Sequence, residues 1–99
     1  MAMTLSTHIL DTEAGEPAAG VQVGLFRGKD LVSLQETDDD GRIANLFEAP
    51  VDPGEYRLVF YIGGGFFEKV ELTLALVEDR HYHVPLLVSS YACATYRGS

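Results

Sequence analysis

Apolar and polar residues alternate with a period of two along most of this chain. In "EYRLVFYIG", Tyr56, Leu58, Phe60 and Ile62 fall on one face. In "KVELTLAL", Val70, Leu72, Leu74 and Leu76 fall on one face, with Glu71 and Thr73 opposite. "GVQVGLFRG" repeats the pattern through Val21, Val23 and Leu25. Successive side chains of a strand point to opposite faces, so this alternation predicts half-buried strands. About eight short ones are expected, over residues 5–10, 21–27, 31–36, 42–47, 55–62, 68–76, 81–88 and 91–97. Turn-forming clusters separate them: "EAGEPAAG", "RGKD", "TDDDGR", "PVDPGEY" and the "GGG" at 63–65. No stretch sustains a helical period, which limits helix to a turn or two. Many short strands with frequent turns predict an all-β fold, an antiparallel sandwich or barrel. No repeat, linker or low-complexity segment interrupts the pattern, so residues 1–99 are expected to form a single domain.

Two of the turns contain glycine-rich or acidic runs that merit a chemical reading. "TDDDG" reads as a solvated hairpin turn, because Asp-Gly suits such a turn and calcium needs more ligands at set spacing. "GGG" follows a strand but opens no helix, so it reads as a tight turn and not as a phosphate cradle.

Composition narrows the partners. The chain is 46% apolar, enough for an ordered core, yet its 99 residues make that core modest, so pairing with copies of itself would help. A net charge of −8 repels nucleic acid and anionic membranes. An anionic substrate would need a local cation. Cys93 is the only cysteine, so it has no internal disulfide partner and no second thiolate for zinc. The opening "MAMTLSTHIL" lacks a basic region followed by a long apolar stretch, and no apolar run reaches the roughly 20 residues of a membrane helix. The closing Arg-Gly-Ser is not a peroxisomal address of the Ser-Lys-Leu type. A reducing compartment and a cytoplasmic location are expected.

The candidate chemistry lies in His8, His81, His83, Arg42 and Arg97. On a strand, His81 and His83 point the same way, while Tyr82, Val84 and Leu86 point to the other face. Pro85 lacks an N–H, which places an edge or a bulge near it. The plain reading is two partly exposed histidines; a His-x-His pair with His8 as a third ligand is the metal reading. His8 lies opposite Leu5, Thr7 and Ile9, which makes it a surface residue if those three face the core. Arg42 reads either as a surface arginine neutralising Asp38 to Asp40 or as a site cation. Arg97 could pair with the terminal carboxylate. No nucleophile elbow, phosphate loop or dinucleotide fingerprint is present.

"LSTHILDTEAGEPAAGVQV", "TDDDGR", "HYHVPLL" and the closing "TYRGS" together resemble the transthyretin-like 5-hydroxyisourate hydrolases, from about Leu5 to Ser99. The terminal Tyr-Arg-Gly-Ser separates those hydrolases from the hormone-carrying transthyretins. The resemblance implies a two-sheet, eight-stranded antiparallel sandwich assembled as a homotetramer, a dimer of dimers with a central channel. It implies hydrolysis of 5-hydroxyisourate to 2-oxo-4-hydroxy-4-carboxy-5-ureidoimidazoline in urate breakdown, with no cofactor and no metal. The alternative it leaves is a transthyretin-like module that binds a small ligand without converting it. Carried over onto matching positions, His8, Arg42, His83 and Ser99 are the catalytic candidates. Tyr96, Arg97, Gly98 and His81 are the substrate-binding ones. The chain departs from the family at "GGG", where relatives carry several more residues including a short helix. It departs also at Glu68 and Ser90, where proline is common, and at "YACA", where Tyr-Gly-Tyr-Ser is usual.

Overall fold

The strand closest to the amino terminus organises the molecule. In the computed structural model, which describes residues 3–98, β1 (Thr4–Asp11) alternates between buried Leu5, Thr7 and Ile9 and half-buried Thr4, Ser6 and His8. It is followed by β2 (Glu16–Pro17), β3 (Gln22–Arg27), β4 (Asp30–Glu36), β5 (Arg42–Ile43), β6 (Gly54–Tyr61), β7 (Val70–Leu76), β8 (His81–His83), β9 (Leu86–Val88) and β10 (Cys93–Thr95). There is no helix among the described residues, and so none long and apolar enough to cross a membrane.

The strands form two sheets. One runs β4-β3-β6-β7 and is antiparallel throughout. In the other, β1 is central, with β8 and β9 along one side and β2 and β5 along the other; β10 extends the sheet beyond β9. β8 and β9 run parallel to β1. Leu5, Ile9 and Leu86 from this sheet and Val23, Leu25, Leu58 and Phe60 from the other are completely buried in one core. The all-β, two-sheet class agrees with the alternation. The parallel pairing is a feature that alternation cannot show, since side-chain period is the same in both directions.

Three expected strands are shorter or broken, each for a local reason. The 81–88 segment divides at Val84-Pro85, where proline cannot donate to a ladder. The break stays attached to β1: the Val84 N–H donates to the Ser6 carbonyl at 3.0 Å, and the buried Thr7 hydroxyl donates to the Val84 carbonyl at 2.7 Å. The 42–47 segment is a ladder only over Arg42–Ile43. Beyond it the Asn45 side-chain oxygen accepts from the Leu5 and Phe47 N–H groups, at 3.0 and 3.1 Å, taking over from the backbone. The 91–97 segment is a strand only over Cys93–Thr95, and it places the free Cys93 opposite Val88. The 63–65 glycines close a tight turn, with the Gly63 N–H donating to the Glu68 carbonyl at 2.9 Å. No helix follows it.

Candidate functional site

Strand register builds the site. β1 sets Thr4 beside His81 and Ser6 beside His83 on one flank, and His8 beside Arg42 on the other. Neighbouring residues on adjacent strands share a face, so all six side chains lie on the outer face, away from Leu5, Thr7 and Ile9. A groove of about 410 Å³ opens there, lined by Ser6, Asp38, Arg42, Ala44, His81 and His83 among others. His8 stands next to Arg42 at the margin of the groove without lining it.

The imidazoles are tied together by hydroxyls. Ser6 Oγ lies 2.7 Å from His83 Nδ1 and 2.9 Å from His81 Nε2, and Thr4 Oγ1 lies 2.5 Å from His81 Nδ1. Both nitrogens of His81 are therefore occupied, and His83 keeps only Nε2 for a molecule in the groove. The hydroxyls thus occupy the ring nitrogens that the metal reading would need from His81. No group of three His, Cys, Asp or Glu side chains suited to a metal ion occurs among the described residues. Burial holds the His83 pKa below the usual 6.5, and positive charge on His81, His8 and Arg42 lowers it further. His83 is thus a neutral imidazole at neutral pH.

Arg42 owes its place to the acidic turn before it. One Asp38 carboxylate oxygen accepts from the Asp40 N–H at 2.9 Å and from the Arg42 N–H at 3.0 Å. The turn passes through Gly41 at φ +73°, where a Cβ would come within 2.5 Å of the Ile9 carbonyl oxygen. Asp38 thus serves the backbone, and the ion pairs among the described residues are Arg57–Glu71, Lys69–Glu71 and Arg80–Glu78. The Arg42 guanidinium has no such partner there and remains available to the groove. Arg42 as a neutraliser of the acidic run is not what the structure contains.

The tail divides. Gly98 bridges antiparallel to His83, its N–H donating to the His83 carbonyl at 2.7 Å. Its backbone lies so near the ring that a Cβ would come within 2.6 Å of His83 Cδ2. Tyr96 and Arg97 lie elsewhere. They line a second groove with the β7 edge, and the Arg97 guanidinium sits over the Tyr82 ring at 5.8 Å from its centroid. Within one chain, then, His81, His83, Arg42 and Gly98 come together, His8 borders them, and Tyr96 and Arg97 do not join them. Ser99, and with it the suggested pairing of Arg97 with the terminal carboxylate, lies outside the described residues. The residues missed in the sequence are Ser6 and Thr4. The signal for them was available: they precede His8 by two and four positions and so share its face.

A β-sandwich whose outer sheet face holds a neutral imidazole beside a guanidinium with no ion pair among the described residues is a scaffold equipped for acid–base chemistry on a small molecule. The chain belongs to the HIUase/Transthyretin family, whose model matches residues 5–98. It is 43% identical over 110 positions to the 5-hydroxyisourate hydrolase of Salmonella dublin, with 96% of this chain and 80% of that protein covered. Its fold is similar to that of Klebsiella pneumoniae 5-hydroxyisourate hydrolase, with a TM-score of 0.91 at 37% identity and both chains fully covered. Sea bream transthyretin in complex with thyroxine is also similar, with a TM-score of 0.87 at 26% identity over 96% of this chain and 94% of that one. The Salmonella alignment is longer than the 99 residues here, so that relative carries residues this chain lacks.

Proposed function

We propose that this protein is a 5-hydroxyisourate hydrolase, opening the substrate ring by hydrolysis of a cyclic amide bond in urate breakdown. The observation that carries the reading is the meeting, in a single groove on the outer sheet face, of His83, with Nε2 left open, and Arg42, which has no ion pair among the described residues. The similarity to hydrolases named for this substrate supports it. A carrier that only binds its ligand has no use for a base and a cation so disposed, and that alternative is not favoured.

The chemistry follows from the groups present. Water in the groove gives a proton to His83 Nε2 as its oxygen adds to the substrate's carbonyl carbon. The carbonyl oxygen becomes negative and is stabilised by the Arg42 guanidinium, which presents several donors at once. The carbon–nitrogen bond then breaks, and His83 returns the proton to the departing nitrogen. His8, next to Arg42, borders the groove where it can orient substrate. We assign His81 and Gly98 to shaping the pocket around His83. Tyr96 and Arg97 are assigned to substrate binding, and Ser99 to catalysis, through assembly, in which a second copy sets its tail beside this groove; a homotetramer is the form proposed. The whole chain acts as one such domain, in the cytoplasm, without a cofactor.

The test is kinetic. 5-Hydroxyisourate is generated with urate oxidase and its ultraviolet decay is followed with and without the protein. Acceleration is expected, and His83→Ala should lower it on the order of 100- to 10,000-fold, the scale for losing a general base. Decay no faster than the spontaneous reaction would reject the assignment.

A further inference from the structure

Among the described residues, the hydroxyl of Ser6 is the one group hydrogen-bonded to both His81 and His83. It lies 2.7 Å from His83 Nδ1 and 2.9 Å from His81 Nε2, while Thr4 Oγ1 closes the row on His81 Nδ1. A serine hydroxyl has one proton to give and can accept others. A neutral imidazole has one N–H and one lone pair. With both rings neutral and the Ser6 proton placed within the row, these rules leave two self-consistent polarities. In one, Thr4 donates to His81, His81 to Ser6 and Ser6 to His83 Nδ1, so that His83 presents an N–H at Nε2. In the other every bond is reversed: His83 Nδ1–H donates to Ser6, Ser6 to His81 Nε2, and His81 Nδ1–H to Thr4. His83 then presents a lone pair at Nε2.

The groove distinguishes the two. Arg42 lines it together with His83, and a guanidinium offers only donors. An N–H at His83 Nε2 would set a donor beside the Arg42 donors and leave Asp38, one of whose oxygens is held by its own turn, as the acidic turn's weakly basic acceptor in the groove. A lone pair at Nε2 is favoured by the nearby Arg42 charge and supplies an acceptor basic enough to take a proton from water. We propose that Ser6 is a positioning residue for hydrolysis, whose hydroxyl bridges His83 to His81 and so keeps the His83 proton on Nδ1 and its lone pair on Nε2. This deepens the hydrolase reading and rests on it. The same bond supports the charged form, since an imidazolium at His83 donates more strongly to Ser6 Oγ than a neutral ring does. The logic is that of a base oriented by a third group, with a serine–histidine pair in place of a carboxylate. Nothing is consumed: the proton enters and leaves at Nε2 while Nδ1–H is retained.

The experiment combines nitrogen-15 NMR of the imidazoles with kinetics on wild type, Ser6→Ala and Ser6→Thr. In wild type above the His83 titration, long-range proton–nitrogen correlations should place the His83 proton on Nδ1. Ser6→Ala should lose that preference and lower kcat on the order of 10- to 100-fold, the range for removing a partner that fixes an imidazole tautomer. KM should stay within about twofold, since ground-state binding is untouched. Ser6→Thr keeps the hydroxyl and should restore most of the tautomer preference and of kcat. A wild-type His83 protonated on Nε2 overturns the proposal, as does Ser6→Ala with wild-type kcat. So does an equal kcat loss in both variants with the tautomer unchanged. Should wild type fail to accelerate 5-hydroxyisourate decay, the hydrolase reading falls, and the NMR result on wild type and Ser6→Ala still decides whether Ser6 sets the tautomer.

Discussion

His83 is half-buried on the outer sheet face, and its burial and cationic neighbours act on its charge in one direction. Burial disfavours the imidazolium first, and His81, His8 and Arg42 repel it. The neutral form therefore persists below the ordinary titration range. If His83 is the base, the acid limb of kcat/KM for 5-hydroxyisourate lies below pH 6.5, and a limb at or above 6.5 would contradict the assignment. Stability follows with the same sign. The unfolded chain binds this proton more readily, so the contribution of His83 is complete above pH 6.5 and is lost as pH falls through its lowered folded value. At this scale the sequence yielded the residue types and the shared face of His81 and His83. It placed Ser6 on the face of His8 but hid its partner. A serine at that position is unremarkable until a strand 77 residues away in sequence delivers an imidazole to it.

β1 shows how far an element can be read before its neighbours are known. Its buried face, Leu5, Thr7 and Ile9, follows directly from alternation, and so does the outward direction of His8. The interruption at Pro85 was equally legible, because a missing N–H must fall at an edge or a bulge. The partner strands were not, since registry between β1 and β5 or β8 depends on packing across the whole sheet. The collapse of 42–47 to two ladder residues was likewise hidden. Asn45 competes for backbone donors, an outcome decided by where Leu5 sits. Thr7 connects this strand to function: its buried hydroxyl holds the Val84 carbonyl freed at the break just after His83. Thr7→Val removes the donor and leaves that carbonyl unsatisfied, so a loss of about 1–3 kcal/mol in unfolding free energy is expected, read from urea denaturation. Unchanged stability would mean that the break holds itself without Thr7.

For the molecule as a whole, an acidic chain of net charge −8 keeps a cation at the groove by spending an aspartate on backbone geometry. Asp38 shapes the turn, and the Arg42 guanidinium makes no ion pair among the described residues. The tail then divides its residues between two surfaces, with Gly98 against His83 and Arg97 over Tyr82. The closing motif was legible in the sequence only through its resemblance to a family. Its division was not, because it depends on which faces of β8 the last residues meet. Removal of residues 97–99 should leave the circular dichroism of the sandwich intact, since the two-sheet core closes without them. Turnover should fall on the order of 100-fold, because His83 loses the backbone packed against its ring and with it its alignment. Full turnover in the truncated protein would make the tail dispensable.

The contact between Gly98 and His83 has one more consequence. With no room for even a methyl group between them, the aromatic C–H on that edge of the imidazole senses the closing residues directly. Its proton resonance is a native gauge of whether the end of the chain is seated. Ligand capture, assembly or fraying could each be followed by that single signal, without any label foreign to the protein.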